Sequence, residues 1–198
     1  MTTLWLIRHG ETAWNVEKRF QGGMDQPLNT VGEAQAQKLV PRLQAEHFDA
    51  IYASDLTRVL QTAHHAGYPI ERLQKDARMR EISFGIFEGL TWEEILVEHP
   101  ELSAEWVKDR SRNQHGGDSL DMVAERVSAF LAYVLETHPK ERVLIFAHGG
   151  TLAIMITILL GVPTNKWWQF RLDNTSISIL EKATHGAYLH RYNDLSHL

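Results

Sequence analysis

Three short, unbroken apolar runs punctuate the chain: Leu4-Trp5-Leu6-Ile7, Ala50-Ile51-Tyr52-Ala53 and Val143-Leu144-Ile145-Phe146-Ala147. Each stops at a polar or glycine-containing loop, the pattern of a strand buried on both faces of a parallel sheet. Between the first two, Thr30-x-x-Glu33 reads as a capping box, followed at helical spacing by Ala36, Leu39, Val40 and Leu43, with Pro41 expected to kink that helix or end it early. A second helix is expected from Ser54 or Asp55 through Thr62. Thr91-x-x-Glu94 caps a third, Pro100 sits in the first turn of a fourth, and Ser119 or Asp118 opens a long fifth. In that fifth helix Leu120, Val123, Val127, Phe130, Leu131 and Val134 form a stripe that should face a core. Gly149 to Leu160 is apolar almost all round and predicts a buried helix. Ser176 to Leu180 alternates with period two, and a weaker alternation over Tyr188 to Tyr192 joins it through Gly186, which suggests an antiparallel hairpin at a sheet edge. Strands alternating with helices predict a three-layer α/β/α domain over residues 1–198. Its sheet should be mainly parallel with an antiparallel edge strand, and residues 81–117 read as a small helical cap inserted over it.

Composition narrows the options. The 198 residues are 43% hydrophobic, with Lys+Arg 20 against Asp+Glu 25, a net −5, and no segment of low complexity. The acidic balance argues against a broad nucleic-acid surface, which needs a basic face. The lack of cysteine removes disulfide scaffolds, thiolate metal sites and a cysteine nucleophile. The longest apolar run, Leu152 to Leu160 broken only by Thr157, is about half the roughly 20 residues of a membrane-spanning helix. The first residues lack the basic start of a signal peptide. A cytoplasmic protein without membrane association is therefore expected. Oligomeric state is open, since Trp167-Trp168 and the apolar helix from Leu152 serve equally as interface or core. Among the 11 histidines, the adjacent His64 and His65 cannot share one helix face and no His-x-x-x-His occurs, so no metal site is expected.

In open α/β sheets, ligands bind beyond the carboxyl ends of the strands. The first strand runs into Arg8-His9-Gly10-Glu11-Thr12, with Asn15 a turn later. The second leads through Ser54-Asp55 to Arg58 in a first helical turn, and the third delivers His148-Gly149-Gly150 at a helix start. Taken singly these are ordinary: an ion-pairing arginine, a solvated helix residue, a histidine near a turn. If the three strands are parallel neighbours, two arginines, two histidines and a helix N-terminus converge on one pocket suited to a phosphoryl dianion.

These strings also carry a resemblance. Arg8-His9-Gly10-Glu11-Thr12-x-x-Asn15, Gln21-Gly22 and Pro27-Leu28-Asn29-Thr30-x-Gly32-x-x-Gln35-Ala36 are followed by Tyr52-Ala53-Ser54-Asp55-Leu56-x-Arg58-x-x-Gln61-Thr62-Ala63. Arg80-Glu81-Ile82-x-Phe84-Gly85-x-Phe87-Glu88-Gly89, Gly116-Gly117-Asp118-Ser119 and His148-Gly149-Gly150 complete the set. In this order they resemble the histidine phosphatase superfamily, which includes the cofactor-dependent phosphoglycerate mutases, over essentially the whole chain. The resemblance implies a two-step phosphoryl transfer to water through a phosphohistidine on His9, with Glu81 as proton donor and then base. It implies that Arg8, Arg58 and His148 clamp the non-bridging oxygens and Asn15 adds an amide donor, with Gln21 and Gly22 also in the substrate site. No metal or cofactor is implied, since the arginines supply the positive charge. Two guanidiniums should lower the pKa of His9, and a bound dianion should raise that of Glu81.

Within the family, hydrolysis is favoured over mutase chemistry. Residues 82–107 contain no Lys or Arg, where mutases of the family carry a longer segment with basic groups. Arg78, Arg80, Lys18 and Arg19 remain candidates for reading a substrate carboxylate. Phe84, Phe87, Trp92, Ile95, Trp106, Trp167 and Trp168 are candidates for an apolar entrance or for simple packing of the cap. Phosphoserine, α-ribazole phosphate and sugar-phosphoglycerate are all compatible substrates, as is a broad phosphomonoesterase. A phosphoglycerate mutase and a non-catalytic phospho-ligand binder are the alternatives. A lipase-like hydrolase is excluded by the lack of a Gly-x-Ser-x-Gly elbow.

Overall fold

The computed structural model describes residues 1–109, 111 and 115–198. In chain order the elements are β1 (Thr2–Arg8), α1 (Ala13–Val16), α2 (Thr30–Lys38), α3 (Val40–Gln44), β2 (Ala50–Ala53), α4 (Thr57–His65) and β3 (Gln74–Lys75). They continue with α5 (Trp92–Glu98), α6 (Pro100–Lys108), α7 (Leu120–Thr137), β4 (Arg142–Ala147), α8 (Gly149–Leu160), β5 (Ile177–Ala183) and β6 (Gly186–Asp194). The strands form one sheet in the order β3-β2-β4-β1-β5-β6.

Successive side chains of a strand point to opposite faces, and here both faces are covered. Leu4, Leu6, Val143 and Ile145 pack with the predicted α7 stripe and with α8, while Trp5, Ile7, Leu144 and Phe146 pack with Leu39, Leu43, Val59 and Ala63 of the helices on the other side. That double burial is why the strands read as continuous apolar runs. Helix α8 lies within the first of these cores, with Leu152 through Thr157 all buried, as its lack of a polar face requires. No helix among the described residues is long and apolar enough to cross a membrane.

Strands β2, β4 and β1 are parallel neighbours, and their ends are in register, with Arg8 opposite Ala147 and Ala53 opposite Phe146. The next residues extend the ladder: His9 N–H donates to the Ala147 carbonyl and Ser54 N–H to that of Phe146, each at 3.0 Å. The three candidate loops therefore leave the sheet side by side.

Several boundaries differ from the sequence pattern. Asn29, not Thr30, caps α2, its side chain accepting from Gly32 N–H at 2.8 Å. The helix breaks at Leu39 ahead of Pro41, which sits in the first turn of α3. Helix α4 starts at Thr57 because Ser54 and Asp55 are committed elsewhere, Ser54 to His148 and Asp55 to Arg80. Its first N–H is capped from afar by Asp25, at 2.7 Å. The antiparallel strand is β5, one place in from the edge, and β6 forms the edge itself. Being interior, β5 has Ile177 to Leu180 buried on both faces, so its alternating serines do not mark a solvent side. The two-residue β3 was not predicted, since it offers only Gln74 and Lys75.

The loop after β1 rests on α2 through two glycines. A Cβ on Gly32 would lie 2.1 Å from the Glu11 carbonyl oxygen, and one on Gly10 would lie 2.6 Å from that of Gly32. Both contacts are with backbone, which cannot step aside. Gly32→Ala is expected to destabilise the fold by about 1–3 kcal/mol, as overpacking typically does. Urea unfolding reads this as a lowered midpoint, and an unchanged midpoint would contradict the close approach.

Candidate active site

At the carboxyl ends of β1, β4 and β2 opens a cleft of about 270 Å³ lined by Arg8, His9, Asn15, Gln21, Gly22, Arg58 and Glu81. Trp14, Lys18, Arg19, Phe20 and Phe84 form its upper walls. All the predicted site residues but one thus line a single space, and the remaining one, His148, meets His9 ring edge to ring face with centroids 5.3 Å apart.

His9 is buried, and its Nδ1 lies 2.8 Å from the Gly10 carbonyl oxygen. A carbonyl only accepts, so Nδ1 carries the hydrogen and Nε2 keeps its lone pair. Burial first, then Arg58 and Arg8, hold the His9 pKa well below the ordinary histidine value. Arginine repulsion, the cause expected from sequence, is thus secondary to desolvation. Gly10 N–H donates to Thr62 Oγ1 at 2.9 Å, and Thr62 in turn donates to the Arg58 carbonyl at 2.7 Å, which ties the His9 loop to α4. From the other side Asn174 Nδ2 donates to the His9 carbonyl at 2.9 Å.

Arg58 is fully buried. Its Nη1 donates to the Met24 carbonyl at 2.7 Å, its Nη2 to that of Gly22 at 2.8 Å, and its Nε to His148 Nδ1 at 3.1 Å. The loop that wraps it needs glycine: Gly22 has φ +51°, and a Cβ there would strike the Glu88 carboxylate. That carboxylate is fixed by Gly23 N–H, Phe84 N–H and Ser83 Oγ, which joins the loop to the turn beneath the cap. Arg8 Nη1 donates to the Leu172 carbonyl at 2.6 Å, while its Nε is buried without a hydrogen-bond partner. Burial lowers the pKa of both guanidiniums and the Glu81 charge opposes this. An arginine stays charged regardless. Among the described residues neither forms an ion pair.

Glu81 sits at the start of α8, accepting from Gly150 N–H at 3.1 Å and from Thr151 N–H at 3.0 Å. Gly150 has no room for a Cβ, which would fall 2.8 Å from Glu81 Oε1. Arg126 of α7 donates to the carbonyls of Arg78, Arg80 and Glu81, and so pins the segment that carries the carboxylate. Asn15 Oδ1 accepts from Thr12 N–H at 3.0 Å in a capping box, which leaves its NH2 as the donor. Gln21 contributes a buried amide whose Oε1 has no partner.

The wall residues differ from the aromatic candidates. Only Phe84 of that set lines the cleft; Phe87 and Ile95 are fully buried, and Trp92 and Trp106 pack against Phe20, tilted and edge-on. Trp167 and Trp168 border a separate cavity of about 310 Å³ with Val107 and Leu120. Trp14 and Phe20 escape the sequence reading because they follow the Arg8–Thr12 string without any periodicity of their own. Of the cation candidates, Arg78 is paired with Asp76, Arg80 with Asp55, and Arg19 with Glu17 and Glu94. Lys18, at φ +58°, borders the cleft.

A mainly parallel sheet with a neutral imidazole and two arginines without carboxylate partners at its carboxyl edge defines a phosphoryl-binding α/β protein. The model for the histidine phosphatase superfamily (branch 1) matches residues 4–195, and the chain belongs to that family. Phosphoserine phosphatase 1 of Hydrogenobacter thermophilus is 34% identical over 201 residues, covering 100% of this chain and 95% of the relative. A Salmonella choleraesuis protein described as a probable phosphoglycerate mutase is 33% identical over 183 residues, covering 91% and 85%. The crystal structure of the α-ribazole phosphatase from Shigella flexneri superposes with a TM-score of 0.88 at 30% identity, over 98% of this chain and 96% of that one.

His9 and His148 are both buried with pKa values held well below the ordinary 6.5. Below pH 6.5 the unfolded chain therefore binds more protons than the folded one, and stability falls with falling pH by up to about 1.4 kcal/mol per pH unit for each such histidine. The contribution is complete about one pH unit above 6.5. Urea unfolding at pH 8.5, 7.5 and 5.5 should show a flat upper interval and a decline in the lower one, and His9→Gln should reduce the decline. A decline equal in the two proteins would contradict a neutral, buried His9.

Proposed function

We propose that the protein is a metal-independent phosphomonoester hydrolase in which His9 is the nucleophile. The observation that carries this reading is the neutral His9 imidazole, its Nε2 lone pair left open, in one cleft with two arginines that lack carboxylate partners. In the first step Nε2 attacks phosphorus, the bond to the substrate oxygen breaks, and Glu81 gives its proton to the departing alkoxide. The positive charge that develops on the ring is shared with Nδ1–H and its Gly10 acceptor. In the second step Glu81 takes a proton from water, the water oxygen attacks phosphorus, the P–N bond breaks, and inorganic phosphate leaves. Arg8, Arg58 and Asn15 hold the non-bridging oxygens through both steps, with Gln21 and Gly22 shaping the same site.

The described residues of 81–117 act as a cap within one domain, and the aromatic cluster around Phe20 joins them to the cleft wall. The 82–107 stretch of this cap has no Lys or Arg to retain a released acid, and the cleft admits a small substrate. Both favour transfer to water over return to the substrate. Phosphoserine and α-ribazole phosphate, named for the relatives, are the first candidates.

A panel of p-nitrophenyl phosphate, phosphoserine, α-ribazole phosphate and 3-phosphoglycerate, assayed with chelator present, tests this by measuring released phosphate and isomerised product together. Phosphate should exceed isomer for every substrate that turns over; isomer in excess would instead make the protein a mutase. His9→Ala should abolish turnover, and Arg58→Ala should lower kcat/KM by about 10²- to 10³-fold, the usual loss for one anion-stabilising donor. Near-normal turnover in His9→Ala would overturn the nucleophile assignment.

A further inference from the structure

Residues 173–176 form the turn before β5, with Ser176 N–H donating to the Asp173 carbonyl at 3.0 Å. Its third residue, Thr175, is fully buried and has φ +57°. A β-branched residue rarely adopts that left-handed conformation, and such strain persists only where the surroundings over-determine it. They do so from two sides. Thr175 N–H donates to the carbonyls of Arg8 at 3.1 Å and His9 at 3.3 Å. Asp173 is gripped by Asn193 of β6, its N–H donating to Oδ1 at 2.7 Å and its Oδ2 accepting from Nδ2 at 2.8 Å.

That turn brings Asn174 to the loop after β1. Its Nδ2 lies 2.9 Å from the His9 carbonyl oxygen and 3.3 Å from Asn15 Oδ1. An amide nitrogen carries two hydrogens, one for each acceptor. The His9 peptide is then held at both ends, its N–H by the Ala147 carbonyl and its carbonyl by Asn174 and Thr175. For Asn15 the consequence is larger. Helix α1 is four residues long and buries none of them, so packing does little to fix the amide. Its Oδ1 instead accepts from Thr12 N–H, Thr12 Oγ1 and Asn174 Nδ2. The two nitrogens among these donors cannot accept, so a reversed amide would set N–H against N–H. We propose that Asn174 is a positioning residue: one side-chain amide holds the peptide of the nucleophile and the amide of Asn15 in a single frame. Asn174 is not one of the cleft-lining residues, and it acts by fixing where His9 and Asn15 stand relative to each other. A misplacement of about 1 Å between such groups costs on the order of 10²-fold in rate.

This inference rests on the phosphoryl-site reading above, in which Asn15 donates to the anion. Asn174→Ala should lower kcat/KM for p-nitrophenyl phosphate by about 10- to 100-fold, the usual cost of removing a group that orients a binding group. Asn174→Leu, which matches the side chain in shape and carries no donor, should lose as much; a residue that only filled space would leave this variant close to wild type. In an Asn15→Ala background the loss at Asn174 should shrink by about threefold or more, as coupling between residues in contact requires. Losses that multiply independently, or an Asn174→Leu protein with wild-type kcat/KM, would overturn the proposal. Should Asn174→Ala fail to fold, Asn174→Leu and its cycle with Asn15→Ala decide. Titration calorimetry with inorganic phosphate reads the same frame without turnover: the Kd should rise by about 10-fold in Asn174→Leu, and an unchanged Kd would contradict the positioning role. Wild-type protein that binds phosphate but hydrolyses no phosphomonoester would refute the hydrolase reading and leave Asn174 to be decided by calorimetry. Wild-type protein that does neither overturns both.

Discussion

Arg8 and Arg58 bring two positive charges to the carboxyl edge of the sheet, and neither is in ion-pair contact with a carboxylate among the described residues. Moving a charge out of water is costly unless hydrogen bonds and counter-charge compensate. Here the hydrogen bonds come from neutral acceptors, the carbonyls of Leu172, Met24 and Gly22 and the imidazole of His148. They fix where the guanidiniums point and leave their charge unspent. Glu81 tempers that charge, yet its oxygens are turned to the first N–H groups of α8. The site is therefore complementary to a small anion of double charge. The same excess, added to burial, keeps His9 neutral, so one electrostatic condition both attracts a phosphoryl group and preserves the lone pair that would attack it.

The fold supplies this arrangement through register. Because β2, β4 and β1 are adjacent, parallel and end at one level, the residues just past each strand fall together without long connections. The glycines at 10, 32, 22 and 150 let backbone and carboxylate approach at distances no side chain would allow. Thr62, Asn174 and Arg126 lie outside the reacting group and hold its parts: Thr62 binds the His9 loop to α4, Asn174 binds it to the turn before β5, and Arg126 anchors the Glu81 segment to α7.

Much of this was legible in the sequence because burial leaves strong patterns. The continuous apolar strands, the α7 stripe from Leu120 to Val134 and the Thr91 capping box are local signals, and each element lies where its pattern put it. The convergence of Arg8, His9, Arg58 and His148 is readable only as a conditional, since it depends on strand order, a non-local property, and Glu81 enters only through the resemblance. What stayed hidden were interactions between residues distant in the chain. Asp25 capping α4 and Arg126 gripping three carbonyls leave no periodicity behind. The start of α4 was misplaced because Ser54 and Asp55 look like caps but serve His148 and Arg80. Trp14 and Phe20 line the cleft by virtue of a loop path that composition does not encode.

The central claim is that the phosphoryl group passes through His9 on its way to water. Rapid quenching of a reaction with labelled phosphomonoester under alkaline conditions, where a phosphoramidate survives, followed by peptide mapping, addresses it directly. The account predicts label on the peptide containing His9 at up to one phosphoryl group per protein, and none in His9→Ala. Label on any other residue, or turnover with no labelled protein and inversion of configuration at phosphorus, would contradict it.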